Sequence, residues 1–269
     1  MAKIPSLASK PGFMTSAMLL FCLLVAIPNT TSATVGVCYG LRGDNLPSNQ
    51  EVIALYNQHN IQRMRHYGPD HDALQALDGS NIELMLGVPN EDLKGIANGQ
   101  AVADAWVRNN IKNYPTVKIR YITIGNEINP WDFRCTVHRP CRGENPKFPQ
   151  RGTAILTGAL AESYPPSKGS FKTEYKQILD PLIGFLVKNN SPLLVNVYPY
   201  FSYIENMKNI LLEYALFTAP GQVVFDQKLQ YQNLFDAIVD AMYAALEKSG
   251  GGSVEVVVSE QSGRQLVER

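Results

Sequence analysis

Glu127 and Glu260 are the residues whose setting invites chemistry. Each ends a β-rich run: Ile119-Arg-Tyr-Ile-Thr-Ile124 leads through Gly125 and Asn126 into Glu127, and Val254-Glu-Val-Val-Val-Ser259 leads into Glu260. A strand that ends in a carboxylate delivers it to the C-terminal rim of a barrel or sheet, where loops build active sites. Two glutamates facing one cleft suffice to hydrolyse a glycosidic bond, one as acid and one as nucleophile. Asn126 suits such a site, because its amide can hold a sugar 2-hydroxyl while the neighbouring acid protonates the leaving oxygen. The competing reading of Glu127 is a helix-capping or arginine-paired carboxylate, and of Glu260 taken alone an ordinary strand end.

Aromatic residues gather at the same rim. Tyr39 ends the first strand-like run, Tyr198, Tyr200 and Phe201 end a later one, and Tyr203 follows. Tyrosine combines an apolar face for a sugar ring with a hydroxyl for its polar edge, although aromatics at strand ends also serve as core plugs. Arg65, His66 and Tyr67 end the second run, as rim residues or as members of a structural ion pair.

Six β-rich runs are expected to position these groups: 34–39, 61–67, 82–88, 118–124, 193–198 and 254–259, with a weaker seventh near 153–156. Helical patterns fall between them at 48–59, 70–77, 98–113, 171–188 and 231–248. Alternation at this spacing implies βαβ units and a parallel sheet. A (β/α)8 barrel and a doubly wound sheet both fit. The first run carries no GxGxxG, and strands that end in functional polar groups favour the barrel. Two segments break the pattern. Residues 131–152 hold three prolines, four arginines and two cysteines with no apolar period, and 261–269 lack any pattern able to continue a barrel.

At 269 residues and 45% hydrophobic, the chain can build one large core. A formal net charge of zero gives no electrostatic case for nucleic acid. The N-terminus reads as a secretory signal over 1–33: Lys3 and Lys10, an apolar run at 17–27, then small residues to Ala33. That run falls short of the roughly 20 residues of a membrane span. The expected mature chain, 34–269, is extracellular, in the cell wall or vacuolar, and has no membrane contact after cleavage. It keeps Cys38, Cys135 and Cys141. Cys135 and Cys141 could pair, which leaves Cys38 as a buried thiol in an apolar strand. His138 lies between that pair, but no fourth ligand is spaced to complete a metal site, so neither metal nor cofactor is expected.

The strings GVCYG, RHYG, IGNEI, SYPPSKGSF, LLVNVYPYFSYI, YALFTAPG, YQNLFDAIVDAMYAALEK and VVVSE together resemble plant glucan endo-1,3-β-glucosidases of glycoside hydrolase family 17. The likeness runs from Val35 to Asn129 and resumes near Thr153 to reach Glu260. It implies a (β/α)8 barrel acting as a monomer on β-1,3-glucan by a retaining mechanism, in defence or cell-wall remodelling. Glu127 would be the acid/base and Glu260 the nucleophile, with Tyr39, Asn126 and Tyr198 along the cleft. The departures are equally definite. The family's E-S-G-W-P motif reads Glu260-Gln-Ser-Gly-Arg264 here, without its Trp-Pro pair. The eighth strand and last helix have no counterpart, and the region around strand 5 is expected to be disrupted by an insert at 131–152 in the barrel domain 34–260. Gly263–Arg269 matches a reading, one base out of frame, of the W-P-S-A-G-G-A segment that family members carry at this point, the mark of altered splicing or a mis-drawn gene. A non-catalytic glucan-binding or defence protein, and a non-functional splice product, therefore stand as alternatives to the enzyme.

Overall fold

The computed structural model describes residues 35–41, 43–127 and 150–261. Seven parallel strands form one sheet in sequential order: β1 (Val37–Tyr39), β2 (Arg63–His66), β3 (Glu83–Val88), β4 (Lys118–Asn126), β5 (Gln150–Leu156), β6 (Leu193–Val197) and β7 (Val256–Gln261). A doubly wound sheet reverses its order at a switch point. This sheet never does, and it curls until its two ends meet. Arg65 on β2 reaches Glu260 on β7, and the Cys38 sulfur on β1 lies 3.6 Å from the Ser259 carbonyl on β7. The result is the wall of a (β/α) barrel in which β1 and β7, among the described residues, each pair with one neighbour only.

Local chemistry explains where helices start. Ser48 and Glu51 form a reciprocal capping box at α1 (Asn49–Gln58), Asp70 accepts from the Ala73 amide at α2 (His71–Ala76), and Asn233 caps α8 (Leu234–Lys248). Between these lie α3 (Asn90–Ala97), α4 (Gln100–Val107), α5 (Thr173–Asn189), α6 (Pro199–Glu205) and α7 (Leu212–Ala215). The core sits between the outer face of the sheet and the helices. Met64, Leu84 and Leu86 pack on Val52, Ile53 and Leu74, while Leu193, Val195 and Val197 pack against α5 and α8. Ala237, Ala241 and Ala245 keep α8 thin on its buried face.

Three expectations are corrected. Strand 5 is intact: β5 begins at Gln150, inside the segment without apolar period, and pairs with both β4 and β6. Its sequence hides it, because Arg151 and Gly152 interrupt the β-branched signal. The single helix at 98–113 is instead α4 followed by a π-helical turn, Arg108–Lys112, and α3 precedes it. That helix escapes periodicity because it buries only Leu93. Cys38 is exposed, since β1 is an edge strand. Its thiol nevertheless turns inward, where burial pushes its pKa up against the opposing influence of the Tyr67 hydroxyl. The leader at 1–33, Cys135, His138, Cys141 and the tail from 262 lie outside the described residues. Gln261 belongs to β7.

Candidate active site

Both glutamates follow an irregularity in their strands. The β4–β5 register shifts between Thr123 and Asn126, with Gly125 at φ 73° and Glu127 at φ 52°. The β7–β6 register shifts between Val258 and Glu260, leaving Ser259 as the extra residue. Bulges re-aim side chains at barrel rims, and a non-glycine residue held in the left-handed region is characteristic of functional sites. The two breaks turn both carboxylates toward the same interior.

Arg65 and Asn196 link them. The Arg65 guanidinium, 4% exposed, donates through Nη1 to Asn196 Oδ1 at 3.0 Å and Glu260 Oε2 at 3.3 Å, and through Nη2 to Asn126 Oδ1 at 2.7 Å. It also lies 4.6 Å from the centre of the Tyr67 ring. Asn196, fully buried, donates from Nδ2 to Glu127 Oε1 at 2.6 Å and Asn126 Oδ1 at 3.0 Å, while its Oδ1 also accepts from Ser259 Oγ at 2.7 Å. Both donors and both lone pairs of that amide are used. Only one orientation works, because a flip would aim its oxygen at the Glu127 carboxylate and its NH2 at the guanidinium. Asn90 Oδ1 accepts from the Asn126 amide N–H, and its Nδ2 donates to the Asn126 carbonyl, fixing the residue before Glu127.

The two carboxylates differ in their partners. Glu260 is paired with the Arg65 cation, and the Tyr67 hydroxyl lies against it. Glu127 is held by neutral donors, Asn196 and the Tyr198 hydroxyl, the latter at 2.5 Å. Tyr198 also acts on Glu260, so one phenol lies against both acids. Burial first, and then the hydrogen bond to Glu127, drives the Tyr198 pKa well above the ordinary tyrosine value; burial and Glu260 do the same for Tyr67. Both phenols remain protonated donors.

Beside the acids lies a cavity of about 590 Å³, lined by Tyr39, His66, Tyr67, Asp70, Asn90 and Asn126 among others. Tyr39 packs edge-on against His66 with ring centres 5.4 Å apart. Of the residues read from sequence, Glu127, Glu260, Asn126 and Tyr198 meet in one cluster, and Tyr39 stands further along the cavity wall. Arg65 is at once a rim residue and an ion-pair partner. Asn196, Ser259 and Asn90 were not singled out. Asn196 had a signal: it is the lone polar residue in Leu193-Leu-Val-Asn-Val197, and a polar side chain in an otherwise apolar strand needs a buried partner.

A parallel barrel wall with two carboxylates at its C-terminal rim, one salt-bridged and one held by neutral donors, is the constellation of a glycoside hydrolase. The Glycosyl hydrolases family 17 model matches residues 35–141 and 147–263, and the chain belongs to that family. It is 48% identical over 265 residues to a glucan endo-1,3-beta-glucosidase, basic vacuolar isoform, of Nicotiana plumbaginifolia, covering 92% of this chain and 72% of that protein. A glucan endo-1,3-beta-glucosidase of Vitis vinifera is 46% identical over 256 residues, covering 90% and 74%. Among solved structures, a β-1,3-glucanase and allergen of Cryptomeria japonica pollen superposes with a TM-score of 0.78 at 36% identity, over 86% of this chain and 76% of that one. A plant β-glucan endohydrolase gives 0.77 at 37%, over 84% and 76%.

Proposed function

We propose that the chain cleaves internal β-1,3-glucosidic bonds of β-glucan with retention of configuration. The observation that carries this reading is the unequal partnering of two carboxylates near the Tyr198 hydroxyl, Glu260 ion-paired with Arg65 and Glu127 held by neutral donors. Glu260, ion-paired with Arg65, attacks the anomeric carbon, while Glu127 gives its proton to the departing glycosidic oxygen. Glu127 then takes a proton from water, whose oxygen displaces Glu260 and frees the sugar. Both acids lie near the Tyr198 hydroxyl, which favours the close spacing of a retaining pair, about 5–5.5 Å, over the about 6.5–9.5 Å that leaves an inverting enzyme room for a water between its base and the sugar. Asn126 accepts twice through Oδ1, from Arg65 and Asn196, so its Nδ2 remains to donate to the sugar 2-hydroxyl. Tyr39 lines the path of the chain.

Family membership and the names of the relatives support β-1,3-glucan as the substrate. The leader read over 1–33 supports export from the cytosol, to the wall or, as the tobacco relative's name has it for that protein, to the vacuole. The test is release of reducing sugar from a linear β-1,3-glucan, with Glu260→Gln as the blank. Release by the wild type alone supports the reading. Binding without release selects the non-catalytic alternative.

A further inference from the structure

Glu260 points where a regular strand would not send it. On β7, Val256 and Val258 pair with Leu193 and Val195 of β6 and pack outward with them against the core formed with α5 and α8. Side chains of a strand alternate between its faces, so Glu260, two residues beyond Val258, belongs on that outer face. It stands inside instead, its Oε2 3.3 Å from Arg65 Nη1. The reversal comes from Ser259. Val258 pairs with Val195 and Glu260 with Asn196, the next residue of β6, so Ser259 is inserted between two ladder positions. One inserted residue moves everything after it to the other face.

A residue without a place in the ladder must be held by other contacts, and Ser259 has two. It is buried, and its Oγ donates to Asn196 Oδ1 at 2.7 Å. From β1, the Cys38 thiol donates to its carbonyl at 3.6 Å. Asn196 passes the constraint on, since its Nδ2 donates to Glu127 Oε1 at 2.6 Å. One serine hydroxyl is thus two hydrogen bonds from Glu127, while the backbone of the same residue carries Glu260.

We propose that Ser259 is a positioning residue for the reaction: its hydroxyl, with the Cys38 thiol on its carbonyl, holds the inserted residue that turns Glu260 into the barrel and sets its reach to the anomeric carbon. Asn196 carries the same constraint to Glu127. The proposal rests on Glu260 being the nucleophile. Without the hydroxyl the bulge relaxes, and a reacting atom misplaced by about 1 Å can cost about a hundredfold in rate.

The test isolates the attack itself, using a fluorosugar β-1,3-glucobioside with a dinitrophenolate leaving group. That group needs no proton from Glu127: the Glu260 carboxylate forms a bond to the anomeric carbon, and dinitrophenolate departs with the electron pair of the broken bond. The rate constant for labelling at saturating probe reports competent molecules alone, so a loss of folded protein lowers the labelled fraction and leaves that constant unchanged. Ser259→Ala is expected to label about tenfold more slowly than wild type at an unchanged half-saturating concentration, and Ser259→Thr to recover most of the rate. Cys38→Ala should lose about threefold, since a thiol is the weaker donor. Equal rate constants in wild type and Ser259→Ala overturn the proposal, as does a fall in the labelled fraction alone. A wild type that never takes the label overturns the double displacement and the proposal with it, a result distinct from a labelled wild type matched by Ser259→Ala.

Discussion

Arg65 compensates one carboxylate and leaves the other to neutral donors, an asymmetry that fits the different roles proposed for these chemically identical side chains. The roles are separable by experiment. Glu127→Gln removes the proposed proton donor, so it is expected to abolish glucan cleavage yet still form the glycosyl-enzyme from an aryl glucoside whose leaving group needs no proton. Glu260→Gln is expected to be inert on both. A burst of phenol from the first variant and none from the second is the readout. Asn196→Ala removes a fully used amide from a buried position and leaves Arg65 and Ser259 short of an acceptor. Each orphaned group costs about 1–3 kcal/mol. Its unfolding midpoint in urea should fall, and kcat should fall more than KM rises, because Glu127 loses its aim.

At the scale of the element, the strands present the site through their defects. Gly125 is the clearest, since φ 73° is accessible to glycine and expensive for other residues. Gly125→Ala should cost about 1–2 kcal/mol and misplace Glu127, seen as a lower melting temperature together with lost activity. Gly87 acts by a different cause: a Cβ there would meet the Tyr67 carbonyl at 2.4 Å, so its absence lets β3 approach the end of β2 that presents Tyr67. These features mark the limit of what the sequence discloses. The strands carrying Glu127, Tyr198 and Glu260 are legible because their runs are apolar and β-branched, and their carboxylates stand where a strand must exit. β5 is less legible because its pairing comes from neighbours on both sides and overrides a poor local signal. Asn196 announces itself as the lone polar residue of an apolar strand, but Ser259 and Asn90 act through contacts at long sequence separation, of which no local pattern gives notice.

At the scale of the molecule, the sheet is curled so that β1 and β7 stand within reach of a side chain, joined by the contact of Cys38 with the Ser259 carbonyl. Among the described residues each of these edge strands pairs on one side only, and such edges are where sheets recruit other strands. The same end of the molecule carries a pH response. Burial lowers the His66 pKa below 6.5, partly offset by Asp70, and its Nε2 is buried without a partner among the described residues. The unfolded chain therefore binds a proton at a higher pH than the native one. The His66 contribution is present in full above pH 6.5 and is lost as pH falls toward the depressed native value. Urea midpoints measured across that window should fall with pH in the wild type and flatten in His66→Gln.

The central claim is that Glu127 and Glu260, as a retaining pair, carry out a double displacement on β-1,3-glucan. Proton NMR of the newly formed reducing ends, recorded before mutarotation, tests it most directly. The β-anomer appearing first is the predicted result. The α-anomer appearing first, or no new reducing ends from folded protein, would contradict it.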